Sequence, residues 1–379
     1  MAKGKSKRRA GADLQFLGSA LAAILGALMI FVGAALTLAA DPPASGAEAL
    51  IQGGHWKRAR AILEPEVQAH PQDPKSLYLL AQVKMAFKDF DGALPLAQRA
   101  VEVNGKNSNY HLKLGQVYGE MAARANIFSA GPLAVKFRQE VEIALELDPE
   151  NLDALDSMMQ FKFQAPALMG GDKDQARALA DRISRLNPVE GYISKSKLAE
   201  LQKNATEVED CYRKAVDADP RNYHALTLLA GFSTHAPHAK YDLAAKNARQ
   251  AIEIDPSRIE AYGILARAFA LVEHWSDLEQ TLTAAEDKVA DDLRPYYEAA
   301  TAMVEAGKEL PRAESYAKKY LSQEPEGDEP DAADAHRLLG LVFEKEGRAL
   351  EARTEMETAL GLRPNFKAAK EDLARINKR

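Results

Sequence analysis

The pattern of apolar and polar positions changes character near residue 41. From Phe16 to Ala40 the chain runs for 25 residues without a charge. A helix of that length reaches roughly 37 Å, more than the hydrocarbon core of about 30 Å. No helical spacing gives this run a polar face, which excludes an ordinary soluble helix. From residue 47 onward the pattern is one of short amphipathic helices, closed at intervals by Pro, Gly or Ala at residues 71, 105, 149, 188, 220, 256, 290, 325 and 364. Helical periodicity throughout, with nothing of strand period, predicts an all-α body.

The intervals carry an internal repeat. Its clearest copy is His336-x2-Leu339-Gly340-x2-Phe343 followed by Ala352-x3-Met356-x2-Ala359-x4-Pro364. The third copy keeps Leu114-Gly115 and Tyr118, then Ala144 and Pro149. The second has Leu80-Ala81 with Ala93, Ala97 and Ala100, and the seventh has Tyr262, Leu265-Ala266 and Phe269. This pattern resembles the tetratricopeptide repeat (TPR), in which small residues let helix A approach helix B and large ones fill the gap to the next pair. The resemblance implies a right-handed superhelical α-solenoid of about nine helix-turn-helix repeats over residues 47–364. A capping helix over 365–379, with the stripe Phe366, Ala369, Leu373 and Ile376, is expected to close it. Copies three and four depart from the period, with spacings of 44 and 39 residues. Pro65 inside the second helix of copy one is expected to kink it.

Composition sharpens the division. The chain has 379 residues, a formal charge of -6, 46% hydrophobic residues and one Cys. One Cys excludes an internal disulfide or a Cys-rich metal site, and mild acidity argues against a nucleic-acid partner. Residues 1–15 form a basic tail, with Lys3, Lys5, Lys7, Arg8 and Arg9 against Asp13, so the rest of the chain is strongly acidic. The cations place the N-terminus in the cytoplasm. Residues 16–40 are then a single-pass transmembrane signal anchor, 41–46 a linker, and the repeat body lies outside the cytoplasm (in the periplasm of a Gram-negative cell). The run exceeds a cleavable h-region of about 7–15 residues. Thr37 and Ala39 nevertheless suit a signal peptidase, and cleavage would release an exported soluble form.

Candidate chemistry is sparse. His235-x2-His238 lacks a third metal ligand of known position. Ser194-x2-Lys197 has the spacing of a Ser nucleophile assisted by Lys, but its companion motifs are missing. Gly170-Gly171-Asp172-Lys173 does not follow a strand as a phosphate loop would, and is read as a loop entering a helix with Asp172 or Asp174 as N-cap. Cys211 is expected between helices as a small core residue. No catalytic residue, metal or cofactor is assigned, and no small-molecule substrate is expected. A hydrolase or metal-dependent activity in the inter-helix loops of repeats 4–6 is the alternative to a binding role.

By its resemblance the chain is expected to bind a protein or peptide on the concave face, at the second, fifth, ninth and twelfth positions of each repeat. These are Lys75, Tyr78, Gln82 and Met85 in copy two, and Asn109, Leu112 and Gln116 in copy three. Asp156, Gln160 and Phe163 follow in copy four, then Tyr192 and Lys195 in copy five. Arg267, Arg294 and Arg337 come from copies seven to nine. The Lys/Asn and Lys/Arg set of the chaperone-binding carboxylate clamp does not occur in any three consecutive copies. The chain resembles membrane-anchored bacterial TPR proteins, which implies a scaffold in envelope assembly, secretion or cytochrome maturation.

Overall fold

The computed structural model describes residues 43–378 except 236, 238, 328 and 329. These form nineteen α-helices and no strand. Eighteen of them make nine antiparallel pairs. Pair 1 is α1 (Pro43–Gln52) and α2 (Trp56–Ala69), pair 2 is α3 (Pro74–Ala86) and α4 (Phe90–Val103), and pair 3 is α5 (Ser108–Arg124) and α6 (Ile127–Leu147). Pair 4 is α7 (Leu152–Gln164) and α8 (Lys173–Leu186), pair 5 is α9 (Pro188–Leu201) and α10 (Ala205–Ala218), and pair 6 is α11 (Tyr223–Phe232) and α12 (Tyr241–Ile254). Pair 7 is α13 (Glu260–Leu271) and α14 (Trp275–Lys288), pair 8 is α15 (Arg294–Ala306) and α16 (Leu310–Tyr320), and pair 9 is α17 (Ala332–Lys345) and α18 (Ala349–Leu362). The last helix, α19 (Lys367–Ile376), covers the end, with Ala369 and Ile376 buried against pair 9. Helix α1 begins at Pro43, inside the stretch expected to be linker. The predicted transmembrane run 16–40 and the basic tail lie outside the described residues. Among the described residues no helix is long and apolar enough to cross a membrane.

Helix starts follow from short polar side chains. Asp73 accepts from the Ser76 amide, Asn107 from Asn109, Asn151 from Ala154 and Asn222 from Ala225, which satisfies donors the helix cannot. Asp172, not Asp174, caps α8, accepting from the amides of Asp174 and Gln175 at 2.9 and 3.0 Å. Helix α2 continues through Pro65, so this proline does not end it. Within a pair the contact runs through small residues. A Cβ on Gly340 would stand 2.9 Å from Met356 Cε and 3.2 Å from the Ala352 carbonyl oxygen, and Ala352, Met356 and Ala359 are fully buried.

Pair 5 is set two residues earlier than its closing proline suggests. Only Asn187 separates α8 from α9, and its side chain accepts from the amides of Val189 and Glu190. Pro188 is therefore the first residue of the next helix A, where its missing N–H costs nothing. In pairs 2, 7 and 9 a left-handed residue (Lys88, Glu273, Gly347) follows seven positions after the small residue of helix A. In pair 5 that residue is Lys203, which makes the fully buried Ser196 the small one. The concave positions of α9 become Glu190, Ile193, Lys197 and Glu200 instead of Tyr192 and Lys195.

The surplus length of pairs 3 and 4 is ordered. Helices α5 and α6 have 17 and 21 residues, against 13 and 14 in pair 2. The connection in pair 4 holds a turn of 3-10 helix at Ala167–Met169, and Gly170 takes φ +96°. Arg138 of α6 donates to the Met169 carbonyl at 3.2 Å. Gly171 passes so close to the end of α7 that a Cβ would lie 1.8 Å from the Ala165 carbonyl oxygen.

The solenoid also returns on itself. The main-chain N–H of Lys57 in α2 donates to Glu326 at 2.6 Å, and its ammonium donates to the Glu324 carbonyl at 2.7 Å. Arg58 pairs with Asp291, and Arg60 binds Glu324 with both Nη atoms, at 3.0 and 2.6 Å. Trp56 packs beside Gly327, whose φ of +80° favours glycine and where an added Cβ would stand 3.2 Å from the Trp56 ring and 3.3 Å from the Ala86 carbonyl oxygen. Pair 1 therefore sits against the connections that follow α14 and α16, and the nine pairs close into one turn. Burial pushes the Glu326 carboxyl up, while its bond to Arg60 holds Glu324 below the usual range.

Two outcomes follow from this geometry. Gly171→Ala is expected to lower stability by about 1–3 kcal/mol, the range for a forced overlap, measured by thermal unfolding; an unchanged melting temperature would contradict the close approach. Neutralising the closure (Lys57→Met, Arg58→Gln, Arg60→Gln together) is expected to enlarge the radius of gyration in small-angle scattering, and an unchanged radius would speak against closure.

Candidate partner-binding groove

The A helices (α3, α5, α7 and so on to α17) face the inside of the closed turn, and three cavities lie on this face. One of about 410 Å³ is lined by Trp56, Gln82, Met85, Phe90, Lys113 and Arg124, with Ala86 and Glu120. A second, of about 580 Å³, has Met85, Gln116, Phe137, Gln160, Phe161 and Met169 in its wall. Its boundary combines the extra turn of α5, the lengthened α6 and the 165–169 insertion. The departures from the repeat period therefore meet at one place. The third, of about 710 Å³, is lined by α11, α13 and α15 through Thr227, Gly231, Glu260, Gly263, Arg294 and Tyr297. Lys88, from the turn of pair 2, reaches the same cavity.

Packing sorts the sequence-predicted groove residues. Lys75 pairs with Glu48 at 2.7 Å. Tyr78 packs on Tyr110, ring centroids 5.1 Å apart, and its phenol is pushed up to about 12 by burial, with Asp153 and Glu48 adding to the shift. Gln82, Met85, Gln116 and Gln160 line the first two cavities. Asn109 is exposed and accepts from Asn151 at 2.9 Å.

Others are taken up by the solenoid itself. Leu112 is buried with Val141, Ala144, Ala154 and Met158, and Phe163 with Met159, Ala176, Ala180 and Leu198. Both correct the expectation of a ligand-facing side chain: each fills the space to the next pair. Tyr192 and Lys195 leave the concave face because of the register shift, and Lys195 pairs with Asp181 of α8 at 2.9 Å. Arg267 is buried and bonded to Glu305 at 2.5 Å. Arg294 donates to the Glu326 carbonyl at 3.3 Å, and Arg337 to Asp372 of the cap helix at 2.7 Å. The cations expected in the C-terminal half of the groove are thus engaged within the fold, whereas amides and apolar side chains are exposed to the cavities of pairs 2–4.

The residues weighed for catalysis have structural partners. Ser194 Oγ and Lys197 Nζ both donate to Asp156, each at 2.8 Å, and tie α9 to α7. Gln160 donates to the same carboxylate at 2.9 Å. Cys211 is buried, and burial pushes its thiol up, away from the thiolate a nucleophile needs. His235 Nδ1 lies 2.9 Å from the Gly231 carbonyl oxygen, and His238 lies outside the described residues. Among the described residues no group of three or more His, Cys, Asp and Glu is placed to hold a metal.

Lys113 was not visible as a groove residue, because it stands one place beyond Leu112 in the expected register. It lines the 410 Å³ cavity and donates to Gln116 Oε1 at 2.7 Å, and no carboxylate pairs with it among the described residues. Burial lowers its ammonium to about 8, with Asp153 opposing. A lysine whose folded value lies below its unfolded value destabilises the fold while charged, and the cost fades as pH rises through 8. Lys113→Met is therefore expected to melt higher than the parent at pH 7, with the difference shrinking by pH 10. A constant difference across that window would show that the ammonium is not desolvated.

Two stretches match family models described as Tetratricopeptide repeat, residues 50–117 and 297–374. No curated protein matches the chain. Among solved structures, a tetratricopeptide repeat protein from Parabacteroides merdae is 14% identical, covering 70% of this chain and 99% of its own, at a TM-score of 0.47. Yeast Tom70 is 13% identical, with 88% and 87% covered, at 0.46. Human IFIT1, solved as a dimer with PPP-AAAA, is 17% identical, with 84% and 72% covered, at 0.43.

Proposed function

We propose that this chain, which carries tetratricopeptide repeats at both ends of its helical body, is a non-enzymatic scaffold that holds a partner protein on its concave face. The observation that carries this reading is the run of three cavities along the A helices, continuous with the repeat framework. A larger cavity of about 840 Å³ opens between α12, α13 and α14, but the three on the inner face form one run along successive A helices, which packing of the pairs alone does not require. They fall within the range typical of ligand sites, about 300–1,000 Å³. The apolar run 16–40 and the cations before it support a membrane-anchored protein with the repeat body outside the cytoplasm. A role in secretion, envelope assembly or cytochrome maturation suits such a scaffold.

Photo-crosslinking residues placed at Gln116 and Gly231, inside the turn, are expected to give discrete adducts in native membranes. The same probe at Thr354, exposed on α18, is expected to give none. Equal yields from Thr354 would overturn the concave reading. For orientation, a cytoplasm-only reporter fused after Arg379 is expected to stay silent, and activity from it would refute an extracytoplasmic body.

A further inference from the structure

The ninth position of helix A is glutamine in three consecutive pairs: Gln82 in α3, Gln116 in α5 and Gln160 in α7. Equivalent positions on stacked helices form a row, and these three line two adjoining cavities that share Met85 and Glu120. Their neighbours set what two of the rungs present. Lysine only donates, so Gln116 meets Lys113 through its carbonyl oxygen at 2.7 Å, and its amide nitrogen has no partner among the described residues. A carboxylate only accepts, so Gln160 meets Asp156 through its nitrogen, and its carbonyl oxygen is the group left over. One rung thus offers a donor and the next an acceptor, the two groups a main chain needs.

A helical ligand has its backbone groups bonded internally and gives such a row nothing to hold. A folded domain is excluded by closure, since Lys88 of pair 2 lines the same cavity as Arg294 and Tyr297 of pair 8. An extended chain fits both constraints. Two further features specify its side chains. Lys113 supplies a positive charge without a paired carboxylate, while its neighbours Glu120 and Arg124 pair with each other at 3.4 Å. Beside the row, Phe137, Phe161, Pro166 and Met169 form an apolar slot built by the lengthened pairs.

We propose that the groove of pairs 2–4 takes an extended, unfolded segment of a partner protein. The Gln82–Gln116–Gln160 row holds its main chain, an acidic side chain sits against Lys113, and a large apolar side chain fills the slot beside the 165–169 turn. This rests on the concave-groove reading above and adds the place, the conformation and the chemistry of the occupant.

The test pans a displayed library of random 12-residue peptides against the full chain in detergent micelles. One selected peptide is then made with both ends blocked. Selected peptides are expected to share an Asp or Glu and a large apolar residue at constant spacing. Gln116→Met and Gln160→Met should each weaken binding about three- to tenfold, the worth of one hydrogen bond, with unchanged circular dichroism at a temperature well below melting. N-methylation of one main-chain amide in the peptide should weaken binding as much, and Gln160→Met should then add nothing. A peptide that binds these variants undiminished, but is lost when Gly231→Trp fills the cavity of pairs 5–8, overturns the row and leaves the concave reading standing. A bound peptide that is helical by circular dichroism also overturns it. A library that yields no binder, or binders sensitive to neither set of substitutions, overturns both.

Discussion

The close approach of helix A to helix B, made through alanine and glycine, sets every other dimension of this structure. Ala352 and Ala359 of α18 are fully buried, and a Cβ on Gly340 of α17 would crowd Met356 Cε and the Ala352 carbonyl oxygen. The same contact recurs at Ala81 with Ala93 and Ala97, and at Ala266 with Leu278 and Leu282. Because each pair is built alike, each rotates by a similar amount on the one before it. After seven to eight pairs the accumulated rotation brings the connections beyond α14 and α16 round to α2. Closure is therefore a consequence of close packing repeated, and the ion pairs of Lys57, Arg58 and Arg60 hold it in register.

Closure changes what the inner face can do. In an open solenoid the groove is a wall, whereas here residues from opposite sides of the turn share one cavity, as Lys88 does with Arg294. The two halves of that inner face differ in kind. In pairs 7–9 the charges are satisfied internally, by Arg267 with Glu305, Arg294 with Asp292 and Arg337 with Asp372. Burial nonetheless pushes the Glu298 carboxyl up, with Arg267 and Arg294 opposing. In pairs 2–4 the inner face is mainly amide and apolar around the Lys113 ammonium and the Glu120–Arg124 pair, and the ion pair of Lys197 with Asp156 ties α9 to α7. One half is a brace and the other is a surface.

Much of this was legible in the sequence. Nine helix pairs, the small residues at their contacts and the capping stripe at Phe366, Ala369, Leu373 and Ile376 follow from periodicity and residue size. The groove residues were less legible because position in a repeat does not say what a neighbouring helix presents. Leu112 and Phe163 occupy groove positions by count but are long enough to reach the next pair and are buried there. Pair 5 misled through Pro188, which opens a helix after a one-residue connection where a closing proline was expected. The closure joins residues 269 apart in sequence and depends on an accumulated angle that no local pattern records.

The two insertions show why departures from a repeat carry more meaning than its copies. A repeat residue is constrained twice, by the pair before and the pair after, so its identity mostly reports packing. The extra turns of α5 and α6 and the 165–171 loop are free of that double constraint, yet they are ordered by definite bonds. Asp172 caps α8, its N–H reaches the Lys162 carbonyl at 2.7 Å, and Arg138 holds Met169. Structure added to a solenoid at the cost of ordering more chain needs a compensating contact. These segments bury little apolar surface of their own: Phe128 is 88% exposed and Leu168 98%. What they do form is the wall of the second cavity, so the ordering of this region is spent on shaping the inner face and not on consolidating the core.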